Sequence, residues 1–275
     1  VQAIGACYPD PDARELRAAL AEEEGLRTEE VVVTSGATEA IQLLVRALPG
    51  EVLTSEGSFP LYARAATAAG LSVRLAPRAA DGRVDLDALR EAIGPQTRLI
   101  FLANPDNPTG TTARGLRAWL EALPAHVVPV VDEAYAGYEA LPDLRGAHEN
   151  LVRLRSFSKA HGLASLRVGA ALAAPSLIEA LDRVRDPFNV GAPAQAAALA
   201  ALGDRRWRAR VRRENAAGRA ELAAGPGGGR GRRQLRLPAP GPRARRRTGG
   251  AGPERPPPLR LGPARRRPDH RRQAR

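Results

Sequence analysis

Apolar and polar positions along this chain follow two alternating periods. Short apolar, β-branched runs at Val31–Thr34, Val52–Thr54, Val73–Ala76, Leu99–Ala103, Val127–Val131, Leu151–Arg155 and Val168–Ala173 read as strands. Between them, Asp12–Glu24, Ala37–Leu48, Leu61–Ala69, Leu86–Ile93 and Ala113–Leu123 carry apolar residues at helical spacing. The pattern from Ser176 to about Ala224 is helical as well. Strands alternating with helices predict an α/β fold with a mainly parallel seven-stranded sheet flanked by helices, and such sheets place ligands at the carboxyl ends of their strands. The expected organisation is an N-terminal segment and helix over 1–25, a large domain over 26–190, a helical connector over 191–224 and a tail over 225–275.

Composition changes this picture only at the tail. Residues 225–275 hold ten Gly, ten Pro and 16 Arg against two acids, Glu254 and Asp269, with no aromatic residue. Such a segment cannot bury a core and is expected to be disordered. The formal net charge of +12 resides there, since the other 224 residues carry 26 basic groups against 28 acidic ones. Sixteen arginines could release counterions on a nucleic acid, but without aromatics they offer no stacking platform, so no specific nucleic-acid partner is expected. No run approaches the ~18 apolar residues of a membrane span, and nothing at the start reads as a signal peptide. One cysteine, Cys7, excludes an internal disulfide and a multi-cysteine metal site, so no metal is expected and the setting is read as cytoplasmic.

Forty-one of the 42 basic residues are Arg, and the one lysine is Lys159. Lysine can lose its proton and form an imine, whereas a guanidinium stays charged. Four segments surround that residue in the expected sheet. Thr34-Ser35-Gly36-Ala37-Thr38-Glu39 runs from a strand through glycine into a helix, where free amides and the helix dipole suit a phosphate. Asn104-Pro105-Asp106-Asn107-Pro108-Thr109-Gly110 follows a strand. Val130-Val131-Asp132-Glu133-Ala134-Tyr135 ends a buried strand on a carboxylate, with a phenol three residues on. Ser156-Phe157-Ser158-Lys159, then Gly162 and Arg167-Val168-Gly169, gathers two hydroxyls, the lysine and an arginine. Each fragment alone is an ordinary capped helix, Pro-rich turn or strand end. Four in this order, each at a strand end, point to one site.

These segments resemble fold-type I pyridoxal-phosphate (PLP) aminotransferases and, within them, the histidinol-phosphate aminotransferases. Tyr8 to Leu16, Phe59 to Tyr62, Asn150-Leu151 and Arg185 to Val190 extend the likeness, which covers about Tyr8 to Ala224. The resemblance implies the PLP-transferase fold for the large domain and PLP as cofactor. It implies that Lys159 is the Schiff-base lysine and proton shuttle and that Asp132 pairs with the pyridine nitrogen. Asn107 and Tyr135 match donors to the ring's 3-oxygen, and Phe59 matches the aromatic stacked on the ring. Ala37 and Thr38 would give the phosphate their amides, with Ser156, Ser158 and Arg167 completing its cup. Tyr8 matches a tyrosine that reaches the phosphate of a partner subunit, implying a homodimer. The implied substrates are a small-molecule amino donor and a 2-oxo acid, with L-histidinol phosphate and 2-oxoglutarate leading. A threonine-phosphate decarboxylase-like lyase and another aminotransferase specificity stay open. A nucleic-acid binder working through the arginine tail is the reading from a different class, and a non-functional translated fragment keeping only the cofactor half is a fourth.

The likeness has departures. Asp106 and Ser165 stand where the subgroup often has asparagine and glycine, and the chain opens at Val1 without the family's amino-terminal arm. The small carboxy-terminal domain, whose arginine grips the substrate carboxylate, is expected to be missing or disordered. Read one base later, the codons of Arg233 to Ala239 permit Ala-Asn-Phe-Val-Phe-Leu, which resembles the strand opening that domain. Those of Pro268 to Gln273 permit Arg-Ile-Thr-Val-Gly, which resembles its arginine motif. A frameshift near Gly225 is the favoured account, so the chain as written is expected to bind PLP yet transaminate very slowly.

Overall fold

The computed structural model describes residues 7–224, and the expectations for the first six residues and for 225–275 lie outside them. Helix α1 is Arg14–Glu24, and the strands are β1 Val31–Thr34, β2 Glu51–Ser55, β3 Val73–Ala76, β4 Thr97–Ala103, β5 Val128–Asp132, β6 Val152–Ser156 and β7 Gly169–Leu172. The remaining helices are α2 Gly36–Ala47, α3 Leu61–Ala68, α4 Leu86–Glu91, α5 Leu116–Glu121, α6 Pro175–Asp182, α7 Ala192–Gly203 and α8 Arg205–Ala224. All seven expected strands are present, and they form one sheet in the order β1-β7-β6-β5-β4-β2-β3. β2, β3, β4, β5 and β6 pair in parallel, while β7 runs antiparallel to both its neighbours, β1 and β6. The sheet is thus mainly parallel, as expected, with one reversed strand.

Alternation along the strands sorts the core into layers. Val32, Leu99, Phe101, Val128, Val130, Val152, Leu154 and Ala171 face α2, α3 and α6 in one cluster. On the opposite face, Val31, Val33, Ala170 and Leu172 pack under α1 and α7, whereas Ile100, Leu102 and Val131 pack under α4 and α5. Between those two patches β6 turns Arg153 and Arg155 outward. Both reach Glu133, and both reach Glu24 of α1, so a charge network fills the gap between the two apolar patches.

The helical pattern expected from Ser176 to Ala224 is carried by three helices. Asp186-Pro187 and Phe188, whose φ is +60°, turn the chain after α6, and Gly191 with Pro193 starts α7. Proline lacks the N–H that a continuing helix needs. Helical periodicity records an apolar face and is blind to a change of direction between helices.

Candidate active site

The carboxyl ends of the parallel strands converge on a cleft of about 250 Å³. Its walls include Ala37 and Thr38 from the start of α2, Phe59 from the loop before α3, Asn107 from the loop after β4, and Asp132 and Tyr135 from the end of β5. Ser156, Ser158, Lys159 and Arg167 complete them from the end of β6 and the connection to β7. Ten of the eleven residues singled out from the sequence therefore meet in one place. Tyr8 does not join them. It is 83% exposed and stacks on Phe188 with ring centroids 4.7 Å apart.

The reversed strand explains part of this convergence. Because β7 runs against β6, the chain between them leaves and re-enters the sheet at the same end, presenting Lys159 going out and Arg167 coming back. Arg167 adopts a left-handed backbone, φ 53°. Its Nη1 donates to Ser158 Oγ at 3.0 Å and to the Ala164 carbonyl at 2.9 Å, while the Ser158 amide donates to Ser156 Oγ at 3.2 Å. Gly36, φ 72°, begins α2 directly against this arginine, since a Cβ there would lie 2.4 Å from Arg167 Nη2. Gly169 has the same role from the other side: its Cβ would meet the Ala37 amide nitrogen at 2.6 Å. The Ser35 side chain does not cap α2, and the Ser35 amide donates instead to Glu39 Oε2 at 2.5 Å. Uncapped amides at the positive end of a helix, two serines and a guanidinium form a cup for a doubly charged phosphate.

At the floor, Asp132 is 5% exposed. Its Oδ2 accepts from the Tyr62 hydroxyl at 2.8 Å and its Oδ1 from the Ala134 amide at 3.0 Å. Burial pushes this carboxyl above the usual carboxylate range, while Tyr62, the Ala134 amide and the charge of Lys159 draw it back down. Burial and the adjacent Asp132 charge push the Tyr62 hydroxyl well up, so it stays a donor. A buried acid so placed accommodates a cation, such as a protonated ring nitrogen. Lys159 Nζ lies 5.2 Å from the centroid of the Tyr135 ring. An anion cup, a buried acid and one amine around a single cleft fit a flat, phosphorylated aromatic aldehyde.

Sequence reasoning missed Tyr62 as a site residue. It stands one turn after Phe59 at the head of α3, and the two rings meet edge to face at 5.6 Å. A phenol on an apolar helix face reads as core, and Tyr62 is in fact fully buried beside Phe101. Only its hydroxyl belongs to the site.

Residues 5–224 match the family model described as aminotransferase class I and II. The histidinol-phosphate aminotransferase of Anaeromyxobacter sp. (strain Fw109-5) is 48% identical over 72% of this chain and 57% of its own length. That of Erythrobacter litoralis (strain HTCC2594) is 46% identical over 76% of this chain and 60% of its own. The chain therefore spans about three fifths of the length of these curated relatives. Among solved structures, histidinol-phosphate aminotransferase from Sinorhizobium meliloti in complex with pyridoxal-5'-phosphate superimposes with a TM-score of 0.75 at 33% identity, covering 81% of this chain and 64% of that one. L-threonine-O-3-phosphate decarboxylase from Porphyromonas gingivalis gives 0.69 at 25% identity, covering 82% and 70%.

Proposed function

The chain belongs to the aminotransferase class I and II family, and on that premise we propose that it binds pyridoxal 5′-phosphate in the Lys159 cleft and serves amino transfer between L-histidinol phosphate and 2-oxoglutarate in histidine synthesis. The convergence on one cleft of ten residues assigned from the family resemblance carries the cofactor part of this reading. The names of the curated relatives support the substrate part.

When bound, the cofactor supplies an aldehyde to carry the amino group and a pyridinium ring that accepts electrons released at the substrate's α-carbon. Lys159 Nζ would hold that aldehyde, and its free amine is the group placed to take the α-proton. Asp132 holds a proton on the ring nitrogen, and Tyr62 and the Ala134 amide keep its two oxygens in place. Asn107 and Tyr135 would donate to the ring's 3-oxygen, and Phe59 would pack against the ring. The amides of Ala37 and Thr38, the hydroxyls of Ser156 and Ser158 and the guanidinium of Arg167 hold the phosphate. Tyr8, outside its own cleft, serves the cleft of a partner subunit in a homodimer.

In this reading residues 26–190 are the cofactor-binding large domain, 1–25 an N-terminal segment and helix, 191–224 a helical connector and 225–275 an Arg-, Pro- and Gly-rich tail. This reading places the enzyme in the cytoplasm. Among the described residues no helix is long and apolar enough to cross a membrane. A decarboxylase acting on a phosphorylated amino acid is the second reading, favoured by the likeness to the P. gingivalis enzyme. Release of carbon dioxide rather than formation of glutamate distinguishes the two.

Borohydride reduction of the chain mixed with pyridoxal 5′-phosphate tests the cofactor assignment. One labelled peptide, containing Lys159, is expected, and K159A should lose both the label and the visible absorbance band. Label confined to the amino terminus would refute it.

A further inference from the structure

We propose that Arg78 and Asp106 form a positioning clamp that fixes the distance between the Phe59 and Asn107 sides of the cleft. The inference rests on the cofactor reading above and assigns a role to two residues that do not line the reaction centre as donors. Arg78 follows β3 and is mostly buried, its side chain 14% exposed against 2% for Asp106. Arg78 Nη1 donates to Asp106 Oδ2 at 2.9 Å and Nη2 to Oδ1 at 3.3 Å. The same guanidinium donates through Nε to the Glu56 carbonyl at 2.5 Å, through Nη2 to Ser58 Oγ at 3.3 Å and through Nη1 to the Gly82 carbonyl at 3.0 Å. One side chain thus ties three segments together.

Two of those segments carry cleft residues. Ser58 is adjacent to Phe59, and Asp106 is adjacent to Asn107. The Asp106 loop is closed on itself, with the Thr109 hydroxyl donating to Asp106 Oδ2 at 2.7 Å, the Gly110 amide to the Asp106 carbonyl at 2.8 Å, and the Asp106 amide to the Thr111 carbonyl at 2.8 Å. A rigid loop held by a two-point guanidinium contact transmits position, which a looser single contact would not. The pairing also accounts for the acid at 106, where the resemblance often has asparagine. A neutral amide there would leave the buried guanidinium without a counter-charge.

The test follows the 275-residue chain, R78Q and R78Q/D106N by hydrogen exchange in peptides spanning 55–62 and 104–112. In parallel, pyridoxal 5′-phosphate affinity and the pH midpoint of its bound absorbance band are measured. R78Q strands a buried carboxylate, so faster exchange in both segments and affinity weaker by about tenfold or more are expected. The midpoint should move upward, because a displaced Asn107 no longer stabilises the deprotonated 3-oxygen. R78Q/D106N removes the stranded charge and should recover thermal stability, yet keep fast exchange at 55–62 and the displaced midpoint. A purely structural pair would recover all of these together. If R78Q is too unstable to study, R78Q/D106N decides alone: wild-type exchange in both segments with a wild-type midpoint overturns the clamp. Wild-type chain that takes up no pyridoxal 5′-phosphate overturns the cofactor reading and the clamp with it, whereas normal uptake with unchanged behaviour in R78Q overturns the clamp only.

Discussion

Removing the Tyr62 hydroxyl while keeping its ring isolates one hydrogen bond at the floor of the cleft. Y62F leaves the stacking on Phe101 in place and takes away one of the two donors to Asp132. With less support for its charged form, that carboxyl rises further and pairs less well with a ring cation. A hydrogen bond to a charged group contributes about 1.5–3 kcal/mol, so cofactor affinity should fall by roughly 10- to 150-fold. Absorbance titration checks this, and unchanged affinity would make the contact incidental. His161, two residues past Lys159, gives a second residue-scale expectation. Its ring lies 4.7 Å from Phe157, both ring nitrogens are buried without a hydrogen-bond partner, and burial aided by the Arg208 charge pushes its pKa down to about 4. In the unfolded chain the ring takes a proton near pH 6.5, whereas in the folded chain it stays neutral until about pH 4. The unfolded state therefore binds more protons in that window, and stability falls as pH drops from 6.5 towards 4, by roughly 1–3 kcal/mol. H161F lacks that proton-linked loss, so its stability relative to wild type should rise as pH falls from 7 to 4, and denaturation curves whose separation does not change with pH would refute this. Lys159 was legible in the sequence because it is the sole lysine. The polar ends of Tyr62 and Arg78 were not, since their partners lie 70 and 28 residues away and only folding brings them together.

Among the elements, the junction of β1, α2 and β7 governs the phosphate cup. The sequence showed a strand, a glycine and a helix start, which is enough to place the amides of Ala37 and Thr38. It did not show that β7 runs backwards, because a period of two records which face a residue takes and leaves strand direction open. Nor did it show why Gly169 opens that strand. A Cβ on Gly169 would meet the Ala37 nitrogen and the Gly36 carbonyl carbon at 2.6 Å and the Arg155 carbonyl oxygen at 2.8 Å, all backbone atoms that cannot swing away. G169A should therefore push α2 off β7, lowering stability by roughly 1–3 kcal/mol. Because the displaced atoms include the cup itself, cofactor affinity should fall further than the lost stability accounts for. Chemical denaturation with and without pyridoxal 5′-phosphate separates the two effects, and a G169A chain with wild-type values in both would show this packing to be slack. β6 was read correctly as a strand, yet its pattern Val-Arg-Leu-Arg-Ser looks half-exposed. The arginines are in fact held against Glu24 and Glu133, so a polar position in the sequence became an interior charge network.

At the scale of the whole chain, two boundaries coincide. The family match ends at residue 224, and from Gly225 onward Gly, Pro and Arg make up most of the sequence. The chain covers 57% and 60% of two curated relatives, so about two fifths of each has no counterpart in the matched part of this chain. A one-base shift of the codons for Arg233 to Ala239 and for Pro268 to Gln273 permits two segments resembling the family's small domain, in the family's order. Chance explains one permissive match more readily than two in a common frame. The nucleotide sequence around codon 225, read in three frames, should therefore continue the family pattern in a shifted frame, and a shifted frame without further likeness would refute the frameshift. Catalysis gives the second half of the test. Holding a substrate so that its α-hydrogen faces Lys159 can lower the barrier by about 7 kcal/mol or more, and by resemblance that grip comes from the small-domain arginine. The chain as written should bind pyridoxal 5′-phosphate but convert histidinol phosphate slowly, and the frame-restored chain, supplied as well with the family's amino-terminal arm, should turn over at least about a hundredfold faster. Equal turnover by the two would overturn this account and assign substrate binding to an arginine already present among residues 225–275.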